Sequence, residues 1–273
     1  MKKNKIFRRS LSFFILHCLT SIYAQNKVFK YDLEYKPNPL KDSIALEKTI
    51  LDVKDHLSIF RSEKEKKSDS LIALTGLGLG RKMRFEDQFY TKKDLSGNEV
   101  FKSIQTVFSE FFFIRINDKL NWEILPEKDK MANFEVQKAK VMYGGRNWTA
   151  WFTAEIPIQD GPYVFYGLPG LIVKISDDRN DYNFSLTEIK NGRGTMYYRN
   201  KGSELTWEQF QILAINHYSD PFARIGSMGV PIKKDDGAGH PISMNIREES
   251  ERLKKIIREN NNPVELSHKA EYK

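Results

Sequence analysis

The sequence predicts a mainly β chain of the α+β class. Its core would be a large curved antiparallel sheet or half-barrel, with a few helices, two of them near the C-terminus. Short runs rich in β-branched and aromatic residues recur from Val28 to Lys190, each bounded by turn residues. No long helical pattern separates them, so the connections read as antiparallel and not as βαβ crossovers. After Gly194 the apolar spacing becomes helical.

In chain order, strands are expected at Val28–Tyr35, Ala45–Val53, Leu57–Ser62, Gln88–Lys92, Val100–Gln105 and Glu110–Ile116. They continue at Asn121–Leu125, Glu135–Tyr143, Trp148–Phe152, Gly170–Ser176 and Tyr182–Lys190. Trp148, Ala150, Phe152, Ala154 and Ile156 alternate with Thr149, Trp151, Thr153 and Glu155, the period of a half-buried strand that stops at Pro157. Tyr163-Val164-Phe165-Tyr166 also has strand composition. It leads to Pro169-Gly170, where proline presets one turn dihedral and glycine supplies the positive φ of the next. The expected result is two strands joined at a Pro/Gly corner, with Leu168 and Leu171 buried beneath it, each worth about 1.5–3 kcal/mol.

Leu95-Ser96-Gly97-Asn98 and Tyr143-Gly144-Gly145-Arg146 suit hairpin loops, and residues 177–181 join two strands in the same way. The charged stretch Ser62–Ser70 fits either a loop or the start of a short helix, ended by the glycines at 76, 78 and 80. Thr206 and Gln209 form a capping box ahead of a helix over about 207–217. Asn245, with Glu248 three residues on, starts a second helix over 246–259, whose apolar stripe is Ile246, Leu253, Ile256 and Ile257. The glycines and prolines between 221 and 241 make the intervening stretch irregular, and the polar residues 260–273 are expected to fray.

Gly167-Leu168-Pro169-Gly170-Leu171-Ile172 spells GLPGLI, preceded in order by Gly145-Arg146, Ala150-Trp151-Phe152-Thr153, Glu155-Ile156-Pro157 and Gly161-Pro162. On these residues the chain resembles the GLPGLI family of exported bacterial proteins. The likeness runs over roughly 25–195 and is strongest over 135–176. It implies a compartment and an architecture, not a chemistry. The family pattern has a cysteine where this chain carries Val136, so no thiol-based redox or metal role transfers.

The N-terminus reads as a cleaved secretory signal, with Lys2, Lys3, Lys5, Arg8 and Arg9 ahead of an apolar core from Leu11 to Leu19. Ile22-Tyr23-Ala24 offers the cleavage site, giving a signal at 1–24, a β domain at 25–200 and a helical extension at 201–273 that packs on it. The expected location is the periplasm or cell envelope, with no transmembrane span in the mature chain. Cys18, the only cysteine, follows a histidine poorly suited to lipid attachment, so simple cleavage is preferred. The chain has 44 basic and 36 acidic side chains, but five of the basic ones lie in the signal. The remaining excess is small and gives no reason to expect nucleic acid.

Familiar catalytic strings are missing: no His-Glu-x-x-His, Gly-x-Ser-x-Gly, Ser-x-x-Lys or phosphate loop occurs. His56, His217, His240 and His268 are scattered, and His217 sits on the apolar stripe of its helix. The cluster Asp235-Asp236-Gly237-Ala238-Gly239-His240 suits a surface loop better than a metal site. Asp177, Asp181 and Glu188 vaguely echo a calcium loop, but Arg179 stands at a ligand position. No cofactor or metal is implied.

Three functions remain open. A non-enzymatic envelope protein would bind a lipid, peptide or partner protein on an apolar sheet face, with Trp151, Tyr163 and Tyr166 as exposed contacts. An envelope hydrolase would use Asp160 and Glu155 beside Arg146. An assembly factor would dock its 246–259 helix on a partner.

Overall fold

The computed structural model describes residues 26–80, 82–106, 110–131, 133–223, 233–235 and 240–273. The expected signal at 1–24, with Cys18, lies outside the described residues, as do the centres of the 221–241 stretch and of the Asp235–His240 cluster.

Twelve strands form one open sheet. The first six are β1 (Lys27–Tyr35), β2 (Ala45–Lys54), β3 (Leu57–Ser62), β4 (Thr91–Asp94), β5 (Glu99–Gln105) and β6 (Phe111–Ile116). Then come β7 (Glu123–Met131), β8 (Phe134–Tyr143), β9 (Arg146–Thr153), β10 (Leu171–Asp177), β11 (Tyr182–Asn191) and β12 (Ser203–Leu205). The spatial order is β12-β6-β5-β4-β3-β2-β1-β11-β10-β9-β8-β7, so the first strand sits in the middle. Every pairing is antiparallel except that of β12 with β6, which makes the sheet mixed. Successive hairpins build both wings, as the short turn-bounded runs predict. The antiparallel hairpin β13 (Lys233–Asp235) and β14 (Pro241–Ser243) stands apart.

Helix α1 (Glu63–Thr75) resolves the charged stretch in favour of a helix. The Ser62 side chain accepts from the Glu65 N–H while the Glu65 carboxylate accepts from the Ser62 N–H, a reciprocal cap that overrides a poor apolar pattern. Gly76, in the left-handed conformation, ends it. Helix α2 (Trp207–Ser219) carries the Thr206–Gln209 capping box, and α3 (Ile246–Glu259) begins at Asn245.

Two expectations fail. Tyr163–Tyr166 is not a strand: Phe165 N–H bonds back to the Pro162 carbonyl and Tyr163 takes a positive φ of 54°. Residues 154–170 therefore leave the sheet after β9, cross the core face and return at β10. Residues 260–273 do not fray either. Val264 and Ala270 are buried in the main core, and a 3-10 turn spans Leu266–His268. The physical reason is anchorage by side chains, because Asn262 and Glu265 are fixed by buried cations described below.

One face of the sheet holds the core. Directly paired residues project to the same side, so Phe29, Leu51, Phe60, Thr91, Lys102 and Ile114 form one continuous cross-strand row. The 154–170 excursion, α2 and the tail cover this face, with Phe165, Leu168, Phe210 and Val264 in the same cluster. The apolar face expected to receive a ligand is thus filled by the chain itself. Helix α3 buries Leu253 and Ile257 against Tyr218 and Phe222, so its apolar stripe is satisfied at home and not left for a partner.

Candidate functional site

The Gly167–Ile172 hexapeptide is a plug in the core. Leu168 is 1 % exposed and Leu171 0 %, while the Ile172 carbonyl accepts the Tyr31 hydroxyl at 2.7 Å. Gly167 and Pro169 are exposed. Gly170 is required by a close approach: a Cβ there would lie 2.0 Å from the Thr153 carbonyl oxygen. Trp151 and Tyr166 are half-buried, but Tyr163 is 0 % exposed and donates its hydroxyl to Glu265 at 2.6 Å. Tyr163 is therefore not an exposed contact. The 162–165 turn that breaks the expected strand carries its ring inward.

Asp160, Glu155 and Arg146 fall in three separate networks. Asp160 is sealed against Lys93, whose ammonium also donates to the Gly161 carbonyl at 2.7 Å. Burial lowers the Lys93 pKa, and the Asp160 charge opposes that shift. Arg146 is buried between Asp177 at 2.7 Å and Asp181 at 3.0 Å, and it also donates to Asn262 at 2.6 Å. Of the acidic residues that superficially resembled a calcium loop, Asp177 and Asp181 are thus held by a guanidinium, while Glu188 pairs with Lys30 and Lys190 on the opposite face. Glu155 is exposed and accepts the Glu135 N–H. The hydrolase arrangement is not assembled, because two of its three residues are closed to water and committed elsewhere.

A further network ties the tail to the sheet. Lys102 donates to Glu265 at 2.9 Å, and Tyr143 and Tyr163 donate to the other carboxylate oxygen at 2.9 and 2.6 Å. Burial alone would raise the Glu265 pKa. Lys102 and the two tyrosines outweigh it and hold the carboxyl below its ordinary value.

Of the histidines, His217 faces the Met83 carbonyl at 2.8 Å, its pKa lowered by burial, and His268 stacks on Trp207 at 4.4 Å. His56 is exposed, 3.8 Å from Asp94. Among the described residues, no three His, Cys, Asp or Glu side chains gather as a metal site, and no helix is long and apolar enough to cross a membrane.

The opposite face of the sheet is different. Glu188, Lys30, Ile50 and Arg61 form one cross-strand row there, and Lys190, Val28 and Asp52 form the next. Helix α1 lies over them, because the sharp β3–α1 junction returns the chain across its own strands. Arg61 is 1 % exposed and donates to Asp69 at 2.6 Å, Tyr90 at 3.1 Å, Asp52 at 2.8 Å and the Tyr197 carbonyl at 2.5 Å. That last bond fixes the segment after β11 beside α1. Arg199, also buried, lies 4.1 Å over the Tyr90 ring and donates to Glu65 at 3.1 Å. Burial alone would lower the Arg61 pKa; Tyr90, Asp69 and Asp52 outweigh it, so the guanidinium stays charged.

Met196 and Tyr197 divide the space between α1 and the sheet into two adjoining cavities. The first, about 340 Å³, is lined by Lys30, Arg61, Lys66, Lys190 and Arg193 against the single carboxylate Asp52. The second, about 440 Å³, is lined by Ile72, Ala73, Phe111 and Tyr198, with Arg199, Lys201 and Asp69. The Nε–H groups of Arg61 and Arg199 are buried and have no hydrogen-bond partner among the described residues. Neither cavity includes the hexapeptide, Trp151 or Tyr166. The groove is not legible in the sequence; the local signal for its wall is Ser62 followed three residues later by Glu65.

Residues 110–174 match a family model described as a protein of unknown function (Porph_ging), a span that includes the hexapeptide. No curated protein matches the chain. Two solved structures of PNGF-II, in C2 and P21 space groups, align with TM-scores of 0.49 and 0.48 at 13 % and 14 % identity. Each alignment covers 78 % of this chain and 35 % of the other, so this chain matches about a third of their length.

Proposed function

We propose that this chain is an exported cell-envelope protein that binds and holds a ligand without transforming it, and that the ligand seats between α1 and the sheet. The observation that carries the reading is the pair of adjoining cavities, one lined by five cations and the other by Ile72, Ala73, Phe111 and Tyr198 beside Arg199 and Lys201, with two unpartnered guanidinium N–H groups buried in the lining residues. Cavities of this size lie within the range of about 300–1,000 Å³ typical of ligand sites. Export rests on the basic and apolar N-terminal pattern ending at Ala24, and on the GLPGLI-type string.

Native mass spectrometry of the chain isolated from the envelope tests the binding half. The expected result is a bound mass that Ala73→Trp, which fills the second chamber, removes; a mass retained in that variant would refute this seat. Sequencing the N-terminus of the isolated protein tests export, with Gln25 expected first and an intact Met1 in the cytoplasm as the contrary outcome.

A further inference from the structure

Resting on that reading, we infer that the groove takes a single-chain anionic amphiphile: an oxyanion head, carboxylate or phosphate, in the first chamber and an aliphatic body in the second. The first chamber sets five cationic side chains against one carboxylate. Three of the cations are already partnered at the surface. Lys30 pairs with Glu63 and Glu188 at 3.2 Å, Lys190 with Glu188 at 2.7 Å, and Lys66 with Asp52 at 2.5 Å. Arg193 is exposed on the same wall and donates to no acceptor among the described residues. An oxyanion entering here meets Arg193 and Lys66 at the mouth, above the buried Arg61 guanidinium.

The Arg61 Nε–H is buried with no hydrogen-bond partner among the described residues. An N–H removed from water without an acceptor is costly, so a site that retains one gains when an oxygen arrives. Arg199 repeats the arrangement behind Met196 and Tyr197, with Nε 3.7 Å from Asp69 and outside hydrogen-bond range. Beyond that divide the walls are Ile72 and Ala73 of α1, with Phe111, Met196 and the Tyr198 ring. The exposed Leu71, Leu74 and Leu77 continue the apolar surface along the end of α1. A polar polyanion would forgo the contacts with Ile72, Ala73 and Phe111 in this second half, and a neutral lipid the cations of the first.

The test is calorimetry on the processed chain with dodecyl phosphate below its micelle threshold, alongside inorganic phosphate and the uncharged dodecyl maltoside. Dodecyl phosphate is expected to bind at least about tenfold more tightly than either comparator, since each loses one half of the site. The double variant Lys66→Gln/Arg193→Gln changes only side chains near the mouth and should weaken it about tenfold or more. Ala73→Trp should abolish it while leaving any phosphate binding unchanged.

Equal affinity for inorganic phosphate would overturn the apolar half and identify a free oxyanion as ligand. Equal affinity for dodecyl maltoside, or an unchanged double variant, would overturn the anionic half. If no probe binds, yet the isolated chain carries a mass that Ala73→Trp loses, the ligand class falls and the binding function stands.

Discussion

Gly170→Ala is expected to destabilise the chain far more than Gly167→Ala, although both glycines belong to one hexapeptide and both have positive φ. At Gly170, with φ 156°, the new methyl group would lie 2.0 Å from the Thr153 oxygen, 2.7 Å from its carbonyl carbon and 3.0 Å from the Ala154 Cα. All three are backbone atoms at the end of β9, so no side-chain rotation relieves the overlap. A shift of more than an ångström must separate β9 from the start of β10, where Leu171 pairs with Thr153. Backbone strain of about 1–3 kcal/mol adds to an overpacking cost of about 1–3 kcal/mol, giving about 2–6 kcal/mol. For a chain this long, that is a melting temperature lower by about 4–24 °C. Gly167, with φ 91°, has only the Trp122 Nε1 at 4.0 Å near its added carbon, so about 1–3 kcal/mol of strain is the whole cost. Urea unfolding followed by tryptophan fluorescence measures both. If the two variants lose the same stability, the close approach is not what requires glycine at 170.

Removing residues 262–273 should leave the chain unable to fold, because it strips partners from Arg146 and Lys102; a soluble truncation with unchanged circular dichroism would contradict this. Glu265→Gln retains acceptors for the tyrosines but leaves the Lys102 charge buried without a counter-ion, costing about 3–5 kcal/mol in urea titrations. Adding Lys102→Met to it should recover part of that loss, and no recovery would argue against a charge-pairing role. The Glu265 pKa is depressed in the fold, so its contribution is complete above the unfolded carboxylate value of about 4.3 and lost as pH falls through the folded value. The urea midpoint of the natural chain should therefore drop between about pH 5 and pH 3 more steeply than that of Glu265→Gln; parallel profiles would remove Glu265 as the cause.

The strands were legible because each displays its burial locally. Trp148, Ala150 and Phe152 alternate with polar neighbours, and that pattern needs no knowledge of the rest of the chain. The two later helices were equally legible from Thr206–Gln209 and Asn245–Glu248. What stayed hidden was every pairing across a long sequence separation. Lys93 and Lys102 stand on the core face, against the polar-out rule, because their partners Asp160 and Glu265 arrive from 67 and 163 residues away. Without those partners in view along the chain, a lysine in a strand reads as a solvated residue. Tyr163–Tyr166 misled for the opposite reason: its composition suits a strand, but Gly161-Pro162 and the left-handed Tyr163 bend it. The groove was invisible because it needs β1, β2, β3, α1 and the 192–201 segment together.

The anchored tail also bears on when this protein can fold. The middle strand of the sheet is the first one synthesised, yet the core closes only when Val264, Glu265 and Ala270 arrive. Until the tail docks, Lys102 has no counter-charge, and Arg146, though paired with Asp177 and Asp181, lacks the Asn262 acceptor. Because β1 pairs with β11 and Lys102 with Glu265, the fold rests on contacts between distant parts of the chain, which slows folding relative to a sheet of local hairpins alone.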